Sequence, residues 1–184
     1  MSKGKLIVIS GASGVGKGTV LGLMMKKRDD LFFSVSATTR EPRPGEKDGV
    51  HYFFISKECF EEMIAQDEFL EYDAHAANYY GTLRGQAEAK QEKGHVLLDI
   101  EPKGAAQVRK AAEATLIFIM PPSMEELERR LRSRGDTSEE QIALRMERAG
   151  WEMEQRSWYD HVVVNDDAQR CADEILNIIS GLED

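Results

Sequence analysis

Lys5-Leu6-Ile7-Val8-Ile9-Ser10 runs directly into Gly11-Ala12-Ser13-Gly14-Val15-Gly16-Lys17, and Val20, Leu21, Leu23, Met24 and Met25 follow at helical spacing. No other feature limits the fold so tightly. A short unbroken apolar run is what a strand covered on both faces needs. The spacing G-x-x-x-x-G-K is that of a phosphate loop. Only a backbone free of Cβ crowding curls so that successive N–H groups converge on one anion. The helix that follows adds the positive end of its dipole, and Lys17 adds a mobile point charge for the outer phosphates. The bland alternative is a Gly-rich turn with a solvated lysine, and the strand before and helix after disfavour it.

Further apolar runs at 31–36, 95–100, 115–120 and 162–164 alternate with helical patterns at 84–93, 105–112, from 137–138 through Trp151, and at 168–180. Ser123-Met124-Glu125-Glu126 matches a capping box that starts one more helix. Such alternation predicts an α/β fold with a parallel central sheet covered on both faces. The stretch 36–85 breaks the pattern. Its loop, Thr38 to Glu46, is split by Pro42 and Pro44. Strands are expected at 50–55 and 69–72, a helix start at Ser56, and a turn at 78–82. We read this stretch as an inserted subdomain with antiparallel character.

Composition excludes several functions. With 41% hydrophobic and 31% charged residues, the 184-residue chain is not a disordered one. Its net charge of -9 lacks the broad basic field that draws in nucleic acid, so phosphates are expected only at local cationic clusters. No apolar run approaches the ~20 residues of a membrane span, and the run after Met1 is too short for a signal peptide. A cytoplasmic location without membrane or nucleic-acid partners is expected. Cys59 and Cys171 form no disulfide framework, and His51, His75, His95 and His161 show no metal-ligand spacing.

The insert gathers Ser36, Thr38, Thr39, Arg40 and Arg43, followed by Tyr52, Glu71, Tyr80 and Thr82. Arginines in a Pro-bounded loop suit bidentate capture of a phosphate. On these residues the sequence resembles the guanylate kinase family. The matching text is Ser34-Val35-Ser36-Ala37-Thr38-Thr39-Arg40-Glu41-Pro42-Arg43-Pro44-Gly45-Glu46, then Gly49 to Phe54, Phe69-Leu70-Glu71 and Asn78 to Thr82. It continues in Leu98-Asp99-Ile100, Pro121-Pro122-Ser123, Arg132 to Gly135 and Val164 to Asp167. The resemblance covers about residues 4–183 and implies a P-loop NTPase three-layer α/β/α fold. Its core would span about 1–35, 86–124 and 151–184, its GMP-binding subdomain about 36–85, and its lid about 125–150.

The resemblance further implies that Gly11 to Lys17, Gly18, Thr19 and Asn165 bind ATP. Arg40, Arg43, Tyr52 and Tyr80 would hold the phosphate of GMP, and Ser36, Glu71 and Thr82 its base. Chemistry supports the base assignment independently. Guanine presents N1–H and N2–H₂ as adjacent donors, and one carboxylate accepts from both, whereas adenine has an acceptor at N1. Two positions depart from the family pattern: Glu101 where Asp is usual, and Lys103 where Gln precedes Gly104. Asp99 and Glu101 stand at the base site, and Asp99 serves either the base or Mg²⁺. Gly18 replaces the hydroxyl usual after the loop lysine, as in the adenylate kinases. Mg²⁺ is therefore expected through water, with Thr19 and Asp99 in its outer shell.

Six of the thirteen arginines fall between positions 129 and 148. For Arg129, Arg132 and Arg148 we expect salt bridges along helices. For Arg130, Arg134 and Arg145 the resemblance implies contacts to the transferred phosphate, beside Lys17, Arg40 and Arg43 in the catalytic set. The nucleophile would be the phosphate of GMP, already an anion, which explains the lack of any Ser-His-Asp or Cys-His arrangement. The implied activity is ATP-to-GMP phosphoryl transfer, with GMP or dGMP as acceptor, in purine nucleotide metabolism and GMP recycling. The alternative is a non-catalytic guanylate kinase-like binding module. An adenylate or other small-molecule kinase shares the loop but does not explain Thr39-Arg40-x-Pro-Arg43 with Glu71. A homo-oligomer stays open, because Trp151 and Trp158 suit either the core or a subunit contact.

Overall fold

A computed structural model describes residues 3–75, 77–133 and 138–183. In chain order the elements are β1 (Leu6–Gly11), α1 (Lys17–Lys27), β2 (Leu31–Phe33), β3 (Ala37–Thr38), β4 (Phe53–Phe54), α2 (Lys57–Ala65), β5 (Phe69–His75) and β6 (Asn78–Leu83). Then follow α3 (Arg84–Gln91), β7 (His95–Asp99), α4 (Pro102–Ala111), β8 (Thr115–Met120), α5 (Met124–Ser133), α6 (Glu139–Glu154), β9 (His161–Val164) and α7 (Ala168–Ser180). The expected architecture is present: a parallel central sheet with flanking helices. No helix of the described residues is long and apolar enough to cross a membrane.

The chain divides into two compact units, and β1 contributes to both. The first takes residues up to Val8 and Asp30–Thr115. Here β2 pairs in parallel with β7, Leu31 opposite His95, and β7 continues to the first half of β1, where Val96 N–H donates to the Lys5 carbonyl at 2.9 Å. Every residue of β1 is buried, as its unbroken apolar run requires.

This unit also holds a second sheet, in the order β4-β3-β6-β5. Its β3–β6 and β5–β6 pairs are antiparallel and β3–β4 is parallel. A satellite core of Ala37, Phe60 and Phe69 holds it, with Phe60 stacked on Phe69 (4.3 Å) and on Tyr79 (5.1 Å). Ser56 caps α2 as its sequence suggests, accepting from Cys59 N–H.

Three local expectations are corrected here. The 31–36 run shortens to β2 at Leu31–Phe33, and β3 starts only at Ala37, in the other sheet. The 50–55 strand shortens to Phe53–Phe54. Residues 78–82 are not a turn but most of β6, because Tyr79 and Tyr80 pair across to Ala74 and Asp73 and the reversal falls one residue earlier, at Ala77 with φ 70°. Aromatic residues favour a pleated, half-buried surface, and tertiary pairing outweighs the turn signal of Asn78.

The second unit takes Ile9–Asp29 and Leu116 onward. Its strands run from the second half of β1 to β8 and β9, with Ile117 opposite His161 in a parallel pair. Helix α1 buries Val20, Leu21 and Met24 and packs against α7. Ser123 accepts from Glu126 N–H at 3.1 Å, as the capping box predicts, and Ser138 caps α6 by accepting from Gln141 N–H. Asp167 caps α7. Trp151 is 43% exposed, whereas Trp158 is half-buried and stacked on Tyr159 at 4.4 Å.

Candidate functional site

In the second unit the phosphate loop leaves β1 where Gly11 is the only residue type that fits. A Cβ there would come within 2.4 Å of the Ile119 carbonyl oxygen. Gly14 and Gly16 adopt φ of 89° and 97°, the left-handed region that side chains resist. Gly16 ends the loop as the N-cap of α1, with no side-chain cap and no acid in the first turn. The positive end of that helix is therefore left to an external anion. Ala12 and Val15 are buried under the loop. Its backbone groups are held by other parts of the same unit. Buried Asn165 donates through Nδ2 to the Val15 carbonyl at 2.7 Å, and Arg130 Nη1 donates to the Asn165 carbonyl at 2.9 Å and to Val15 O at 3.4 Å. The Ser13 N–H donates to Glu152 Oε2 at 2.8 Å. Lys17 opens α1, and Gly18 and Thr19 are exposed beside it.

The six arginines sort as follows. Arg129 pairs with Glu126 at 2.7 Å, Arg132 with Glu128 at 2.8 Å and also with Glu139, and Arg148 with Glu152 at 3.1 Å. These are the helix-surface bridges the sequence led us to expect. The paired guanidinium groups of Arg129 and Arg130 hold the Glu126 carboxyl down to about 2. Arg130 thus serves Glu126 and the underside of the loop together. Arg145 is half-buried on α6 and pairs with no carboxylate among the described residues. Arg134 lies outside the described residues.

In the first unit a cavity of about 270 Å³ has walls that include Ser36, Tyr52, Glu71, Tyr80, Asp99 and Glu101 of the expected set. Glu71 is 7% exposed. It lies directly across from Thr82, because a bulge between Phe69 and Glu71 shifts the register of β5 on β6. The Thr82 hydroxyl donates to Glu71 Oε1 at 2.6 Å. Burial pushes the Glu71 carboxyl above its ordinary value; Thr82 pulls it back down, and the neighbouring Asp73 and Glu101 charges push it further up. The result is a buried acceptor whose ionised form needs donors from a ligand.

At the other end, Arg40 lies 5.3 Å from the centre of the Tyr52 ring, which meets Tyr80 edge-on at 6.1 Å. Glu46 accepts both arms of Arg40, at 2.8 and 2.9 Å, and the Arg43 N–H at 2.7 Å. Arg40 lowers the Glu46 carboxyl to about 2, and Glu46 in turn raises the arginine. The structure thus brings Ser36, Tyr52, Glu71, Tyr80, Asp99 and Glu101 to one cavity, with Arg40 against Tyr52. Neither Arg40 nor Arg43 is part of the cavity wall.

Sequence reasoning missed four residues. Glu46 stood in the quoted loop but had no role, although a Glu six residues after an Arg in a tight turn is a signal for a fork pair. Gly104 had no role of its own; a Cβ there would come within 2.6 Å of Glu71 Oε2, so this glycine lets the carboxylate lie against α4. Gln107 ties α4 to strand β5 by accepting from Tyr72 N–H at 3.1 Å and donating to its carbonyl at 2.9 Å. Glu152 is buried at 3% exposure and meets a loop 139 residues away, which no local pattern reveals. Two histidines hold backbone: His95 Nδ1 accepts from Lys5 N–H and His51 Nδ1 from Lys47 N–H.

Thr19 offers an exposed hydroxyl and Asp99 an exposed carboxylate. Both are the hard oxygen donors that Mg²⁺ takes, directly or through its water. Around Gly18 there is open space: no atom lies within 4 Å of where a Cβ would stand.

A family model described as guanylate kinase matches residues 3–181. The chain is similar to a guanylate kinase of Carboxydothermus hydrogenoformans, 47% identical over 182 residues that cover 98% of this chain and 89% of that one. It is 52% identical to a guanylate kinase of Trichormus variabilis over 90% of this chain and 84% of that one. Among solved structures, guanylate kinase from Anaplasma phagocytophilum matches with a TM-score of 0.75 and 34% identity, covering 98% of this chain and 86% of that one.

Proposed function

This chain belongs to the guanylate kinase family, and on that premise we propose that it transfers a phosphoryl group from ATP to GMP, giving ADP and GDP. The observation that carries the reading is Glu71: a buried carboxylate, paired with Thr82 at 2.6 Å, in the wall of a cavity of about 270 Å³. Guanine would supply the N1–H and N2–H₂ donors that this acceptor lacks. Adenine would leave the charge facing an acceptor, an unpaired buried charge that costs more than the ~1–3 kcal/mol of an unpaired neutral group. Ser36, Asp99 and Glu101 complete the base end of the site.

At the phosphate end, Arg40 and Arg43 with Tyr52 and Tyr80 hold the acceptor phosphate. Three N–H bonds of Arg40 go to Glu46 and the Glu41 carbonyl, and Tyr80 stands beside it as a further partner; together they orient the guanidinium. The phosphate of GMP attacks as an anion, so no residue needs to remove a proton. The loop from Gly11 to Lys17, with Gly18 and Thr19, binds the donor phosphates; its Ser13 and Val15 N–H groups serve the loop itself, donating to Glu152 and to the Ala12 carbonyl, and Asn165 supports it by holding Val15. Lys17, Arg130, Arg134 and Arg145 stabilise the charge that spreads over the transferred group. Mg²⁺, when bound, neutralises phosphate charge; Thr19 and Asp99 are each proposed as ligands to its water shell. Within this reading 36–85 is the acceptor part and about 125–150 the lid, and the enzyme works in the cytoplasm.

The intact loop, and relatives named guanylate kinase across 98% of the chain, support the enzyme over a non-catalytic binding module. A coupled assay with ATP and a panel of GMP, dGMP, AMP, CMP and UMP tests the proposal. GMP should be strongly preferred over AMP; equal rates for the two would refute the base assignment, and GMP binding without GDP formation would favour the binding module.

A further inference from the structure

Helix α6 carries a buried acid that the reaction itself does not use. Glu152 is 3% exposed, and a carboxylate so placed is costly unless hydrogen bonds satisfy it. It has two partners. Oε1 accepts from Arg148 Nε at 3.1 Å, one turn away on the same helix, and Oε2 accepts from the Ser13 N–H at 2.8 Å. The Arg148 side chain is 40% exposed and its charge is partly screened, although its partner Glu152 is buried. The other bond ties the helix to the middle of the phosphate loop.

The same face of α6 bears a second charge. Ile142, Arg145, Ala149 and Glu152 recur at helical spacing, and Ile142 and Ala149 are buried. Arg145 is therefore half-buried on the inward stripe, two turns before Glu152 and about 10 Å from it along the axis. Among the described residues no carboxylate pairs with Arg145, unlike Arg129, Arg130, Arg132 and Arg148. An inward-facing cation so placed suits a phosphate.

We propose that Glu152 is a positioning residue: by gripping the Ser13 amide it fixes α6 against the phosphate loop, and the rigid two-turn segment then sets where Arg145 meets the transferred phosphate. The inference rests on the phosphotransferase reading above, and on no contact between Glu152 and substrate. It makes Glu152 act through Arg145.

A double-mutant cycle tests this. Glu152→Ala should lower kcat by about ten- to a hundredfold, the scale on which misplacement of a catalytic group acts, with the KM for GMP within about twofold of wild type. Glu152→Gln, which keeps an oxygen for the Ser13 N–H, should recover most of the loss. In an Arg145→Ala background, Glu152→Ala should cost less than about a further threefold, because the group it positions is already gone. Should Glu152→Ala fail to fold in a thermal melt, Glu152→Asp, which shortens the tether by one methylene, runs the same cycle. Losses that multiply in the double variant, or an unchanged kcat in a folded Glu152→Ala protein, overturn the inference and leave the reading intact. A wild-type protein with no ATP-dependent conversion of GMP would overturn both.

Discussion

Replacing Glu71 by Gln removes one charge with almost no change of volume, so it isolates what the buried carboxylate does. Two charge-assisted hydrogen bonds to guanine are worth about 1.5–3 kcal/mol each, and a Gln oxygen would retain one neutral bond of about 0.5–1.5 kcal/mol. The net loss is then about 1.5–5.5 kcal/mol, or about ten- to 10,000-fold in kcat/KM for GMP. The rate with AMP should hold or rise, since the Gln amide can donate to adenine N1. The same substitution should stabilise the free protein. Burial raises the Glu71 carboxyl, so the folded chain keeps that proton to higher pH than the unfolded chain does. The stability this contributes is complete below the ordinary carboxyl value and is lost as pH rises through the raised one. Glu71→Gln removes that loss. Its melting temperature should exceed that of wild type at pH 8 and converge with it at pH 4, by about 2–4 °C for each kcal/mol gained. The assays are the coupled acceptor panel and thermal melts at the two pH values. An unchanged GMP-to-AMP ratio would refute the base assignment, and a melting point lowered equally at both pH values would refute the account of the buried charge.

Lys17→Met should abolish most turnover while calorimetry still detects GMP; full turnover would sink the phosphate-loop assignment. Gly104→Ala puts a Cβ within 2.6 Å of Glu71 Oε2, so the KM for GMP should rise about tenfold or more, the cost of one displaced charged contact, with the KM for ATP unmoved. Glu46→Ala releases both arms of Arg40 and the Arg43 N–H and should raise the KM for GMP more than it lowers kcat. Because Arg40 holds the Glu46 carboxyl at about 2, the stability this acid contributes is present above its ordinary value and fades only as pH falls toward 2. Wild-type GMP affinity should therefore show no step from Glu46 between pH 5 and 8, which a calorimetric pH series checks.

The phosphate loop was legible because its demands are local. Strand, glycines, lysine and helix are consecutive, and Gly14 and Gly16 take the positive φ that their spacing implies. The same holds for Ser56, Ser123 and Ser138, each of which caps the helix it was expected to start. Ser36, Tyr52, Glu71, Tyr80, Asp99 and Glu101, which line the candidate cavity, were named from residue chemistry and family resemblance. Their arrangement was not legible. Reading 78–82 as a turn missed the strand that brings Thr82 opposite Glu71, since pairing between strands is decided by partners outside the segment.

From the sequence alone came the parallel α/β frame, the anion-binding turn and the arginine-rich acceptor loop, because backbone geometry and apolar periodicity are properties of neighbouring residues. Tertiary structure alone decided that Glu71 is buried beside Gly104, that Glu46 holds the fork of Arg40, and that Glu152 grips Ser13. Burial and charge pairing depend on what the folded chain brings near, and a carboxylate in solvent and one in a cavity are written with the same letter.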